Sequence, residues 1–250
     1  MAVTRIQSAV LPRWRRGLAL LAMLAGGLAA ADQAPIKLLT FDEPPWVDAQ
    51  QQPLRGPTIE LVKQLFEQAG VPYSFEVLPL KRALKMANSR PGTCVFPIER
   101  SQERETGLRW ISPLVVSRYG FYSVPGHVLN LQTLEDARPY SIASYLGSGV
   151  GEYLLSRGFN VVEVSRAKLG PNMLTHKRFD LWVSDTRSAE ALDSSAGPKL
   201  GKPALVFLST LRAMGCHPDT SNTSIELLQA TLLQMLHMPK WRDKVFSQQR

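Results

Sequence analysis

The 250-residue chain carries 29 Lys and Arg against 21 Asp and Glu, with two cysteines and four histidines. Four of the basic residues stand in the first 16 positions, so the rest is only mildly basic, 25 against 21. It lacks the basic cluster with interleaved aromatics that a nucleic-acid surface needs. His127, His176, His217 and His237 are far apart, and neither H-E-x-x-H nor C-x-x-C occurs, so no metal or other cofactor is expected.

Residues 1–16 hold Arg5, Arg13, Arg15, Arg16 and no acid, and "GLALLAMLAGGLAA" and "AAADQAP" follow. A positive start, an apolar run too short to span a bilayer and an A-x-A site at Ala29 and Ala31 predict a Sec-type signal peptide, 1–31, cleaved after Ala31. An uncleaved N-terminal anchor is the alternative. Residues 32–250 are long enough for one large domain or two small ones, and no second apolar span follows. The expected compartment is the periplasm.

Strands and helices then alternate. "PIKLLTFD" reads as a strand leading into the Pro-rich loop "EPPWVDAQQQPLRGP". "TIELVKQLFEQAG" places Ile59, Val62, Leu65, Phe66 and Ala69 on one helical face and stops at Gly70. "YSFEVLP" reads as a strand, "LKRALKMANS" as a helix and "GTCVFPI" as a strand. A second series follows: "YSIASYL", a helix in "GEYLLSRGF", "NVVEVS", a helix over 167–178, and "DLWVSD". The box Thr223–Glu226 predicts the start of a helix, and "PKWRDKVFSQQ" a last one. Such alternation predicts an α/β fold with mostly parallel sheets.

Two long extended runs, "RWISPLVVSRYGFYSVPG" and "ALVFLSTLRAMGC", lead from the first series to the second and back. They predict two lobes with a double crossover: 32–117 begins lobe one, 118–204 forms lobe two, and 205–250 returns to lobe one. One continuous sheet through residues 36–185 is the arrangement that would exclude this. Cys94 closes a lobe-one strand and Cys216 lies just past the return run, so in an exported protein the pair predicts a disulfide.

The order and spacing of "EPPW", "GPTIEL", "PIERSQERE", "LGSG" and "RFDLWVSD" resemble the family 3 extracellular solute-binding proteins, which bind polar amino acids for ABC importers. The resemblance covers nearly all of residues 32–250. It implies a type II periplasmic-binding-protein fold, whose two lobes close on a ligand at a hinge of two strands. It also implies a monomer that meets a small solute and a membrane ABC permease.

In amino-acid-binding members a T-x-x-R segment aims an arginine at the ligand carboxylate. "SQER" matches it with Ser101 and Arg104. "RFDLWVSD" resembles the segment whose last aspartate takes the ligand ammonium, which is Asp185 here; the same residue is also suited to capping the helix in "TRSAEAL". The alternative for Arg104 is a solvated helix-start arginine paired with Glu103 or Glu105. Glu43, Trp46, Arg82, Phe96 and Ser148 complete the candidate ligand-binding set. Trp46 and Phe96 would serve as apolar walls, and Ser148 would lie in a turn that aims helix N–H groups at an anion. Glu99 and Arg100 are charges that an ordinary carboxylate site does not need.

Gly147, Gly149 and Gly151 with Glu163 mimic a dinucleotide fingerprint, but the third glycine comes one residue early. No G-x-S-x-G occurs, and no Ser or Cys has an evident histidine partner, so an enzyme is not expected. An accessory or sensory protein of the same fold is the second reading.

Overall fold

β1 (Ile36–Thr40) divides its side chains between two apolar layers: Ile36 and Leu38 enter one cluster and Leu39 the other, as a period of two requires. It lies parallel between β2 (Tyr73–Val77) and β3 (Thr93–Glu99). The crossovers cover opposite faces. α1 (Pro57–Ala69) buries Ile59, Val62, Leu65 and Phe66 beside Leu38, whereas α2 (Leu80–Ser89) buries Leu80, Ala83 and Met86 beside Leu39. α1 starts at Pro57, where no amide donor is needed, and stops at the left-handed Gly70, whose N–H returns to Glu67 and Phe66. Gly56 before it has φ 121°, and a Cβ there would lie 2.3 Å from the Trp46 carbonyl oxygen. Only glycine lets the loop carrying Trp46 fold back so closely.

This computed structural model describes Met1 and residues 34–127, 129–193 and 199–246. The expected signal peptide and its cleavage site after Ala31 lie outside the described residues, as does the end of the predicted last helix. Residues 34–250 form one compact unit. In its second series, β5 (Ile142–Tyr145) lies parallel to β6 (Val161–Val164) and β7 (Leu181–Asp185). α3 (Gly149–Ser156), α4 (Gly170–Thr175) and α5 (Thr186–Asp193) supply its helices.

β4 (Arg109–Tyr122) and β8 (Leu205–Cys216) are the two long strands and pair antiparallel over most of their length. Strand order is β2-β1-β3-β8-β4-β7-β5-β6, one hydrogen-bonded ladder. Continuity of this kind was the expected mark of a single sheet, and in hydrogen bonding the sheet is indeed single. Its core is not. β3 joins the Arg212–Cys216 end of β8, β7 joins the Tyr119–Tyr122 end of β4, and each end has its own apolar clusters. The fold is therefore two α/β lobes that share a pair of strands.

Prolines mark the irregular points of these strands. The β4–β8 register shifts between Ile111 and Val115 around Pro113, and the β3–β8 register shifts between Val95 and Ile98 around Pro97, since neither proline has an N–H to donate. Gln229 repairs the first break: its side chain accepts from Ser112 N at 2.8 Å and donates to Ser112 O at 2.9 Å. Gln229 stands on α6 (Asn222–Leu236), which packs with α7 (Pro239–Phe246) on lobe one. Cys94 and Cys216 face each other across β3 and β8 and form a disulfide with a Cα separation of 3.9 Å.

Two helix predictions need correction. α6 is capped by Ser221, which accepts from Ser224 N, so the predicted box at Thr223 lies inside the helix. The helix expected over 167–178 is a 3-10 turn, Ala167–Leu169, followed by the short α4. Pro171 stands in the first turn of α4, where a missing N–H is tolerated, and the left-handed Lys177 lies just beyond its end.

Candidate functional site

The carboxyl ends of parallel strands from both lobes meet at the junction, where such sheets present ligand groups. β1 runs through Phe41 to Glu43, β3 ends in Glu99 and β7 ends in Asp185. Glu43 is fixed by a tight turn in which its N–H and C=O both pair with Val47 at 3.0 Å, and this turn carries Trp46. With Arg104 and Arg212 these acids make five ionisable side chains, each at most 9% exposed.

Arg212 rises from the middle of β8 and is 1% exposed. Its Nη2 donates to Glu43 Oε2 at 2.5 Å and to Pro97 O at 2.8 Å, and its guanidinium lies 6.0 Å from the Phe41 ring centre. Its Nε and Nη1 are buried without a partner among the described residues. An unmatched buried donor costs roughly 1–3 kcal/mol, and more when charged, so two on one guanidinium call for an acceptor.

Arg104 is the opposite case. Its Nη2 donates to Gly147 O at 2.9 Å and to Glu152 Oε2 at 2.7 Å, its Nε to the same carboxylate oxygen at 3.1 Å, and its Nη1 to Glu99 O at 3.4 Å. The Glu99 carboxylate lies 3.6 Å away. Gly147 and Glu152 belong to lobe two, so this arginine fastens one lobe to the other.

Glu99 reaches from lobe one to the start of α3. It accepts from Gly149 N at 3.0 Å and from the Tyr119 hydroxyl. A Cβ at Gly149 would lie 2.7 Å from Glu99 Cβ, so only glycine admits this approach. On the other side of the cleft, Asp185 accepts from Trp46 Nε1 at 2.9 Å and from Ser188 N at 3.0 Å, the second of which caps α5. Tyr145 of lobe two accepts from Leu80 N, the first amide of α2, at 3.2 Å.

Burial drives the charge states. It pushes the Glu43 carboxyl up to about 7, and the contact with Arg212 offsets this only in part. Burial also opposes ionisation of Glu99, but Arg212, Arg104 and Tyr119 outweigh it and hold that carboxyl below its ordinary value. Burial and the neighbouring Glu99 charge keep Tyr119 protonated.

The cavity enclosed by Phe41, Glu43, Glu99, Tyr119, Asp185 and Arg212 measures about 20 Å³, the space of about one water. In this conformation the lobes are shut on their own side chains. Among the predicted residues, Glu43, Ser148 and Asp185 line this cavity. Trp46 reaches the junction through its indole N–H. Ser148 caps α3 through Gly151 N at 3.2 Å and contacts Ser144 Oγ at 2.8 Å.

The remaining candidates lie elsewhere. Phe96 is wholly buried in lobe one, 5.9 Å from Phe75, because β3 is covered by apolar clusters on both faces. Arg82 is exposed on the outer face of α2. Ser101 lines an adjoining open groove with Glu103 and Arg157, which shares Glu99 and Val150 with the cavity. Arg212 is the main residue that sequence reasoning missed. The signal for it is a lone charge in the otherwise uncharged run "ALVFLSTLRAMGC". The glycine turn that mimics a dinucleotide site has its first helical amide occupied by Glu99, and Glu163 is exposed on β6.

No protein-family model matches the chain, and no curated protein matches it by sequence. Solved structures do match its fold. A histidine kinase sensor domain with similarity to periplasmic binding proteins aligns with TM-score 0.75 and 15% identity, over 84% of this chain and 93% of that one. A mutant of ArgBP from T. maritima aligns with TM-score 0.71 and 16% identity, over 84% and 93%. The GluR0 ligand-binding core from Nostoc punctiforme, in complex with L-glutamate, aligns with TM-score 0.69 and 18% identity, over 84% and 97%. At these identities the likeness establishes the two-lobed periplasmic-binding-protein fold.

Proposed function

We propose that this protein is an exported receptor that captures a small polar, amino-acid-like solute between its lobes. The observation that carries the reading is Arg212: a fully buried guanidinium at the lobe junction whose Nε and Nη1 are unmatched among the described residues, lining one cavity with Glu43 and Asp185. Once the lobes part to admit it, a zwitterion matches that arrangement, its anionic end on Arg212 and its cationic end on the two carboxylates. Arg104, the expected anchor, has its donors spent on Gly147, Glu99 and Glu152. Neighbours of the same fold include an arginine-binding protein bound to arginine and a glutamate-bound receptor core, which supports amino acids as the first class to try.

Residues 1–31 support export by their pattern alone, and delivery to an ABC permease by a monomer without cofactor or catalytic activity belongs to the same proposal. The test is a thermal-shift screen of residues 32–250 against amino acids, amines and organic acids. A bound solute at 100 times its Kd stabilises by about 2.7 kcal/mol. No response across the panel would overturn the receptor reading. N-terminal sequencing of periplasmic protein tests export, and Asp32 is the expected first residue.

One observation favours an accessory or sensory role instead: the lobes are already joined by their own side chains, through Arg104–Glu152, Glu99–Gly149 and Trp46–Asp185. The sensor domain of the same fold is a precedent. A negative solute screen together with capture of a specific periplasmic partner would select that role.

A further inference from the structure

We infer that Glu99 is a tethered internal anion that fills the anion subsite at the start of α3, and so restricts the cleft to solutes with at most one acidic group. The inference rests on the receptor reading for its ligand and on the contacts of Glu99 for the subsite. Glu99 belongs to lobe one, whereas two of its donors, Gly149 N–H and the Tyr119 hydroxyl, lie on the lobe-two side; Arg104 supplies the third contact. Backbone N–H at a helix start, a phenol and a guanidinium converging on one carboxylate make an anion-binding arrangement. Its occupant is part of the chain.

The fit is close. Gly149 admits no Cβ beside Glu99, Glu99 is 5% exposed, and Gly149 is buried. A second carboxylate entering here would have to displace Glu99 from Gly149 N, the Tyr119 hydroxyl and Arg104. The nearby charges point the same way: Arg104 already carries Glu99 and Glu152, and Arg212 already carries Glu43. The unmatched donors of Arg212 remain for a single acidic or neutral acceptor group. Glu99 is thus a specificity-determining residue: in an opened cleft it admits neutral zwitterions and cations and rejects dicarboxylates.

The test is chemical rescue. Glu99→Ala removes the tethered carboxylate and leaves its donors facing a space that acetate fits. Sodium acetate, compared with sodium chloride at equal ionic strength, should raise the melting temperature of Glu99→Ala by at least ~2 °C more than that of the parent. Succinate and glutamate should stabilise the variant and leave the parent unmoved. Equal responses of parent and variant, or tight binding of a dicarboxylate by the parent, would overturn the inference.

Glu99→Gln covers the case in which the alanine variant does not fold, because it keeps the side-chain shape. The Gly149 amide should then exchange with solvent at least about tenfold faster than in the parent, having lost a charge-assisted bond. An unchanged rate would also overturn the inference. The two readings fail separately. A parent that binds no solute while acetate rescues Glu99→Ala leaves the subsite standing and removes the receptor. A parent that binds glutamate through both carboxylates removes the subsite role and keeps the receptor.

Discussion

The junction holds two buried arginines that differ in what they leave over. Arg104, at the α3 side, has its donors matched by Gly147 O, Glu152 and Glu99, and one of those carboxylates is half-exposed. Arg212, at the base, is deeper and has two donors unmatched. A guanidinium whose donors are all spent joins parts of the chain; one with donors in reserve is available to a ligand. By motif Arg104 is the expected anchor, and by hydrogen-bond accounting Arg212 is.

The strongest way to break this comparison is to remove Arg212. Arg212→Ala leaves Glu43 and Glu99 without their main positive neighbour, and breaking a buried pair costs on the order of 3–5 kcal/mol. Urea denaturation of the variant should show that loss, and solute binding should disappear with it. A loss below about 1 kcal/mol would place Arg212 in a solvated setting, where ion pairs are worth that little.

Next in size is a pH effect at the same end. The Glu43 carboxyl stands near 7 in the folded protein against 4.5 in an unstructured chain, so the folded state holds its proton more tightly. Its contribution to stability is present in full below pH 4.5 and is lost as pH rises through 7, by at most about 3 kcal/mol. Glu43→Gln should flatten that part of the stability–pH curve. Identical slopes in parent and variant would contradict the assignment.

At the Arg104 end the expected effect is smaller, because Glu152 is 42% exposed and water screens the pair. Arg104→Gln should cost about 1–2 kcal/mol, and it should loosen the lobes, read as faster amide exchange at Gly147–Glu152. Solute affinity should fall far less than in Arg212→Ala. An equal fall in both variants would erase the distinction between latch and anchor.

The smallest change is Trp46→Phe, which removes the donor to Asp185 and keeps most of the ring. A loss of about 1 kcal/mol is expected, since Asp185 retains Ser188 N. Thermal melts should resolve it, and a loss above about 3 kcal/mol would mean that Asp185 depends on Trp46 alone.

Within short windows the amino-acid order alone determined a good deal. The apolar face of α1, the helix α2, the two βα series and the long runs joining them follow from patterns that any local stretch displays. The pairing of Cys94 with Cys216 was legible because both runs pointed to lobe one, although Cys94 opens β3 rather than closing it and Cys216 is the last residue of β8. Asp185 as a helix cap was legible too, as a contact three residues away. The tertiary structure decided what the charges do. Glu99 and Arg104 stand five positions apart, yet their partners Gly149, Gly147 and Glu152 lie more than forty positions away, and Arg212 finds Glu43 across 169 positions. A local pattern can mark a charge as out of place in an apolar strand. Its role depends on which donors and acceptors remain unmatched once distant strand ends are brought together, and that count exists only in the folded chain.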